Sequence, residues 1–251
     1  MEVKPLIQVI ASESLPELDK RYSKWCENIQ IPALLRNPNL LCVSRYRIIL
    51  GVSDPSHPGL AEPKEGYAKY LTIFEFENEE AFKTFDRSPE MEEALANEIQ
   101  TWESGEIVVK FRAQYRLRYT WEGKVKAKVG IIHTSGVNIP PEADEAFNHY
   151  YFEKAIPTIT GNPYLMGVDS YELVKGLARS DYPFTIEPKG GYPKYYNIYK
   201  LESVEAFRAY EYSHEMTTNS RNFTNFAESW PPGTFKVAIR TQYIPIGSWA
   251  R

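Results

Sequence analysis

The chain has 251 residues, 43% of them apolar and 25% charged, a composition within the range of ordinary globular proteins. Its net charge of -4 and scattered Lys and Arg give no general attraction for nucleic acid or anionic membranes, and no apolar run approaches the roughly 20 residues that span a bilayer. Two cysteines, Cys26 and Cys42, and an N-terminus without the apolar centre of a signal peptide give the expectation of a reduced, cytoplasmic protein.

In chain order, Leu6 to Ala11 is β-branched and apolar and reads as a strand. Ser12 or Ser14 with Pro16 starts a helix that runs through Tyr22 and Trp25 towards Pro32. Asn37-Pro38-Asn39 is a turn, and Leu40 to Leu50 a long strand. Gly51 to Gly66 is a Pro/Gly/Ser-rich loop, and Tyr67 to Phe76 a third strand. Glu79 to about Glu98 reads as one helix with Ala81, Phe82 and Phe85 on one face; Ile107 to Leu117 closes the unit as a strand.

The same pattern then recurs. A shift of 125 positions superposes Asn37-Pro38 on Asn162-Pro163, Glu62-Pro63-Lys64 on Glu187-Pro188-Lys189, Gly66-Tyr67 on Gly191-Tyr192, Lys69-Tyr70 on Lys194-Tyr195, and Met91 on Met216. After a three-residue insertion, a shift of 128 superposes Trp102, Gly105, Arg112, Gln114 and Tyr115 on Trp230, Gly233, Arg240, Gln242 and Tyr243. The chain is a tandem duplication: module one is 1–119, module two 125–251, with a short polar link at Thr120–Lys124. Each module reads β-α-β-β-α-β, so the fold class is α+β: two tandem ferredoxin-like modules. One sheet face per module has no helix to cover it, and packing the two antiparallel sheets together into a pseudo-dimeric barrel removes the exposure.

On these elements the sequence resembles the dimeric α+β barrel superfamily, over essentially the whole chain and twice. Its first helix is similar to that of the EthD-like and antibiotic-biosynthesis-monooxygenase type, which carries an aromatic pair followed by His-x-Pro. Here Trp25-Cys26 with Gln30-Ile31-Pro32, and Tyr150-Tyr151 with Ala155-Ile156-Pro157, stand in those places. The proline is kept; the histidine is Gln30 in one copy and Ala155 in the other, so a role that needs it does not transfer. The superfamily hosts monooxygenases, isomerases, lyases, dehydratases and haem enzymes, so the resemblance implies a fold and leaves the reaction open.

Strand alternation divides the last strand into Val109, Phe111, Ala113 and Tyr115 on one face, and Lys110, Arg112 and Gln114 on the other. The expectation is that the apolar set meets the helices and the polar set points toward the second sheet, with Arg240 and Gln242 doing the same in module two. An inward arginine can hold a carboxylate. The halves differ where Gln8 becomes His133, Thr72 becomes Asn197, Arg45 becomes Ser170 and Pro89 becomes His214. His133, in a strand, suits general acid–base work near neutral pH. The expected catalytic set is therefore His133, Arg240 and Tyr195, with Asn197, Gln242, His149, Tyr150, Tyr192, Arg112 and Tyr70 binding substrate, and module two as the chemical half. The alternatives remain a structural histidine, arginines paired with acids, and tyrosines in core packing; His57 and His214 read as surface residues.

No nucleotide-binding glycine motif, metal-ligand spacing or nucleophile elbow occurs in the sequence. The expectation is no cofactor; haem, which the resemblance allows, would need His133 or His149 as its axial ligand. With aromatic residues at 14%, the leading reading is a cofactor-independent enzyme for a small aromatic (phenolic) or polyketide-like acid, working by proton transfer as a lyase, decarboxylase or isomerase. A cofactorless monooxygenase and a non-catalytic ligand-binding or stress protein are the alternatives. The partner is a small aromatic or carboxylate substrate, with no nucleic acid, no membrane and a homodimer possible.

Overall fold

The computed structural model describes residues 5–49, 68–177, 182–188 and 191–251. The expectations for Gly51 to Gly66, His57 and Tyr67 lie outside them. Module one runs β1 (Leu6–Ser14), α1 (Asp19–Trp25), α2 (Ile31–Leu34), β2 (Leu40–Ile48), β3 (Tyr70–Phe76), α3 (Glu79–Asp86), α4 (Pro89–Thr101) and β4 (Ile107–Glu122). Module two repeats this as β5 (Ile131–Asn138), α5 (Asp144–Tyr150), α6 (Ile156–Thr160), β6 (Leu165–Gly176), β7 (Tyr195–Leu201), α7 (Val204–Glu211), α8 (His214–Glu228) and β8 (Lys236–Ala250). No described helix is long and apolar enough to cross a membrane.

The eight strands form one closed barrel in the order β1-β3-β2-β8-β5-β7-β6-β4. Each module supplies four neighbouring strands, and two antiparallel seams, β2 with β8 and β4 with β6, join them. Closure pairs the sheet edges that a lone module would expose. β4 continues to Glu122, through most of the segment that reads as a link, because that stretch pairs with β6 from Tyr119↔Ser170 to Glu122↔Gly167.

Local chemistry explains the helix boundaries. In both copies a π-helical turn, Cys26–Gln30 and Tyr151–Ala155, precedes the Ile-Pro that opens the next helix. Pro32 and Pro157 have no N–H for an i→i−4 bond and their rings press on the preceding turn, so the helix widens there. The expected single helix over Glu79–Glu98 is two. Ser88 caps α4 by accepting from Met91 N at 3.2 Å, and Pro89 takes the first-turn position that needs no donor. Ser213 does the same for α8 through Met216 N at 3.2 Å. Gly105 and Gly233, at φ +96° and +83°, make equivalent turns into the last strand of each module, a conformation that favours glycine.

The polar faces are the reverse of the sequence expectation. Phe111, Ala113 and Tyr115 point into the barrel, where they pack with Ile7, Val9, Tyr171, Tyr196 and Tyr243. Arg112, Gln114, Arg240 and Gln242 lie on the outer face, under the helices, and all but the half-exposed Arg240 are buried. Both faces of a barrel strand are buried, so alternation separates them without saying which is inside. A β-bulge adds to this: Ala11 faces Phe111 and Ser12 faces Val109, which leaves Lys110 unopposed and puts Val109 with the outer core. The bulge recurs at Ala238, between Val237 and Ile239.

Candidate functional site

The sheet registers define two matching rows under the helices of each module. In module one they are Arg112–Ile10–Thr72–Arg45 and Gln114–Gln8–Phe74–Val43. In module two they are Arg240–Ser135–Asn197–Ser170 and Gln242–His133–Tyr199–Val168. The two clefts are therefore built on one plan and filled differently.

In module two several of these polar groups bond one another, although Arg240 Nε and Ser170 Oγ make no hydrogen bond among the described residues. The Gln242 amide bonds His133 Nδ1 at 3.1 Å, and the His133 ring lies between Tyr199 and Phe207, with centroids 5.4 and 5.3 Å away. Burial, reinforced by the charge of Arg240, holds the His133 pKa well below the usual histidine range, so the ring is neutral. Arg240 donates to the buried Glu211 at 3.2 Å. Tyr151 donates to Asn197 Oδ1 at 3.0 Å.

Module one holds a cavity of about 30 Å³ between sheet and helices. That is room for about two water molecules. Ile10, Thr72, Tyr22, Gln30, Glu98 and Arg112 are among its walls. Buried polar atoms without partners among the described residues gather here, Glu98 Oε2 and Arg112 Nε and Nη1, with Gln8, which faces the Tyr182 hydroxyl, on the adjoining row. Glu98, Arg112 and Gln8 are 3%, 4% and 0% exposed. Unmade hydrogen bonds at such depth cost on the order of 1–3 kcal/mol each, which marks a place for a ligand or ordered water. Burial pushes the Glu98 pKa up to about 7, with the nearby Arg112 charge opposing the rise. Glu98 is therefore poised to exchange a proton near neutral pH beside the Arg112 guanidinium.

Module two covers this cleft. Phe184 O accepts from Val109 N at 3.0 Å, Ile186 N donates to Val109 O at 2.9 Å, and Leu177 N donates to Arg112 O at 2.9 Å. These bonds seat Tyr182 over Arg112, ring centroid to guanidinium carbon 4.1 Å, with its hydroxyl bonded to Asp86 at the end of α3.

The remaining expected site residues are spread out. Tyr70 donates to Asp19 at 2.7 Å and Tyr195 to Asp144 at 2.6 Å, and Lys69 and Lys194 pair with the same acids. Arg45 and Arg118 stack on the two tyrosine rings, each at 4.1 Å. Burial, with the hydrogen bond to the acid, pushes both phenols up to about 12. This duplicated latch ties the start of a helix to the start of a strand. Tyr150 packs on Phe226 under α8, Tyr192 packs on Phe111 at a barrel end, and His149 is on the outer surface, 70% exposed and paired with Glu153. Haem does not fit either histidine: Tyr199, Phe207 and Gln242 enclose His133, and His149 faces away from the cleft. Sequence reading missed Glu98, Gln8, Tyr182 and Asp86. A signal for the first was there: a glutamate on a helix face that otherwise presents Met91 and Ala94 to the core.

No family model and no curated protein matches the sequence. Solved structures do match the fold. A Fusobacterium nucleatum protein described as a candidate monooxygenase is 10% identical with TM-score 0.61, covering 100% of this chain and 96% of that one. An anthrone oxidase-like protein is 9% identical with TM-score 0.63, over 99% and 94% of the two chains. A mutant chlorite dismutase from Candidatus Nitrospira defluvii is 8% identical with TM-score 0.57, over 98% and 93%. At these identities the likeness is one of architecture: this chain has the ferredoxin-like, dimeric α+β barrel fold, made from a single polypeptide.

Proposed function

We propose that the chain is an enzyme that acts on a small aromatic (phenolic) or polyketide-like acid by proton transfer, in the module-one cleft. One observation carries this reading: a buried carboxyl poised near neutral pH lies beside a buried guanidinium with two unbonded nitrogens, at a cavity. Arg112 holds the anionic group of the substrate and the oxyanion that forms on deprotonation. Glu98, as carboxylate, takes a proton from a carbon that the aromatic or keto group acidifies. Returned to another carbon, that proton completes an isomerisation; in a decarboxylation Glu98 instead starts as the carboxylic acid, gives its proton to the carbanion left by loss of carbon dioxide, and takes a new proton from water. The conjugated substrate is its own electron sink.

A second reading is an oxygenase, in which the same carbanion or phenolate reacts with dioxygen. The structures described as a monooxygenase and an anthrone oxidase-like protein favour it through their shared fold. A competing assignment keeps the reaction in module two, with His133 as acid–base group, Arg240 as anion holder and Tyr195 as the third catalytic residue.

Deuterium exchange into anthrone and 4-hydroxybenzoate in heavy water, followed by NMR with oxygen uptake recorded in parallel, separates these readings. We expect exchange to fall by about 10²–10⁴ in Glu98→Gln and Arg112→Gln, as for loss of a general base and its charge partner. His133→Gln and Arg240→Gln should retain it. Substrate-dependent oxygen uptake assigns the oxygenase outcome. Ligand binding with neither exchange nor oxygen uptake would refute catalysis.

A further inference from the structure

The repeat register aligns Asp86 with Glu211 and Arg112 with Arg240. In module two this acid and this arginine bond directly, Arg240 Nη2 to Glu211 Oε2 at 3.2 Å. In module one a phenol stands between them: the Tyr182 ring centroid lies 4.1 Å from the Arg112 guanidinium carbon and its hydroxyl bonds the Asp86 carboxylate. Tyr182 is buried, yet it belongs to the β6–β7 connection of the other module. The cavity beside it holds only about 30 Å³, far less than an aromatic ring needs.

We propose that the Arg112–Asp86 gap is a phenol-binding subsite, which Tyr182 fills in the free protein and a hydroxyaryl ligand takes by displacing it. The inference deepens the reading of the module-one cleft and rests on it for the location of the substrate. The guanidinium face offers a cation–π platform, and the carboxylate accepts from the phenolic hydroxyl. The walls are already shaped to a 4-substituted phenol, because Tyr182 is one. The free edge of Arg112, Nε and Nη1, stays available for the ligand's anionic group. The ligand class is thus a phenol with an acid group, and the aromatic neighbour it replaces is supplied by module two.

Two variants test this by binding alone, independently of turnover. Tyr182→Phe keeps the ring and loses its bond to Asp86. We expect it to bind 4-hydroxybenzoate roughly tenfold more tightly than wild type by calorimetry, since a hydrogen bond to a charged group helps hold the native occupant. Equal or weaker binding in Tyr182→Phe overturns the displacement. Tyr182→Ala vacates the subsite. It should bind p-cresol at least tenfold more tightly than toluene, and adding Asp86→Asn should remove that preference. A preference for toluene would mean that the space is an ordinary apolar cavity and the subsite does not exist. Exchange activity plays no part in either result, so a failed catalytic reading and a failed subsite are told apart.

Discussion

Glu98 and His133 are both buried and both shifted toward their neutral forms, but their effects on stability have opposite signs. Glu98 has a folded pKa raised from 4.5 to about 7, so its contribution is fully present below pH 4.5 and is lost as pH rises through 7. The shift corresponds to roughly 3 kcal/mol at about 1.4 kcal/mol per unit. His133 has a lowered pKa, so the unfolded chain takes up the proton first and stability is lost as pH falls below 6.5. In wild type the two trends oppose each other across the acid range. Glu98→Gln should remove one of them: relative to wild type it gains about 3 kcal/mol between pH 4.5 and pH 8 in urea unfolding. Parallel curves for the two proteins would show that Glu98 ionises normally and is not the poised acid proposed.

At the scale of elements, the paired caps offer an internal control. Ser88 and Ser213 each accept one backbone N–H, but Ser213 Oγ also accepts from Asn162 Nδ2 at 2.7 Å. The corresponding Asn37 in module one turns to Glu90 instead, at 2.9 Å. Ser88→Ala should cost about 1 kcal/mol, and Ser213→Ala clearly more, since it also strands the buried Asn162 amide. Thermal or urea unfolding reads both; equal losses would mean that the Asn162 bond contributes nothing. Strands, helices and the register of the repeat were legible because they are local: periodicity, Pro32 and Pro157, and the shared Lys-Tyr pairs lie in the sequence itself. The break at Ser88-Pro89 was missed, although a cap followed by proline marks it inside an otherwise helical pattern. The inward face of β4 was not legible, because apolar rings fill the barrel while helices cover the polar side, and a bulge at Lys110 changes the alternation partway along.

At the scale of the whole molecule, duplication gives two clefts on one scaffold, which the sequence already distinguishes by their unshared residues. Arg112 and Arg240 are identical in type and register, and differences such as Gln8 against His133 favour module two when chemistry is judged residue by residue. The clefts diverge through contacts that cross between modules. Glu211 neutralises Arg240 within one half, whereas Tyr182 from that half enters the other and keeps Arg112 apart from Asp86. Partner choice of this kind depends on the closed barrel, which brings β6 beside β4, and no local pattern encodes it. The resulting asymmetry is the central claim: one scaffold, two clefts, and a ligand site in module one. The structure of the chain crystallised with 4-hydroxybenzoate tests it most directly. The account predicts one ligand per chain, its carboxylate on Arg112 and its hydroxyl on Asp86, with Tyr182 displaced and the His133–Gln242 pair unchanged. Ligand density beside His133 and Arg240, or equal occupancy of both clefts, would contradict it.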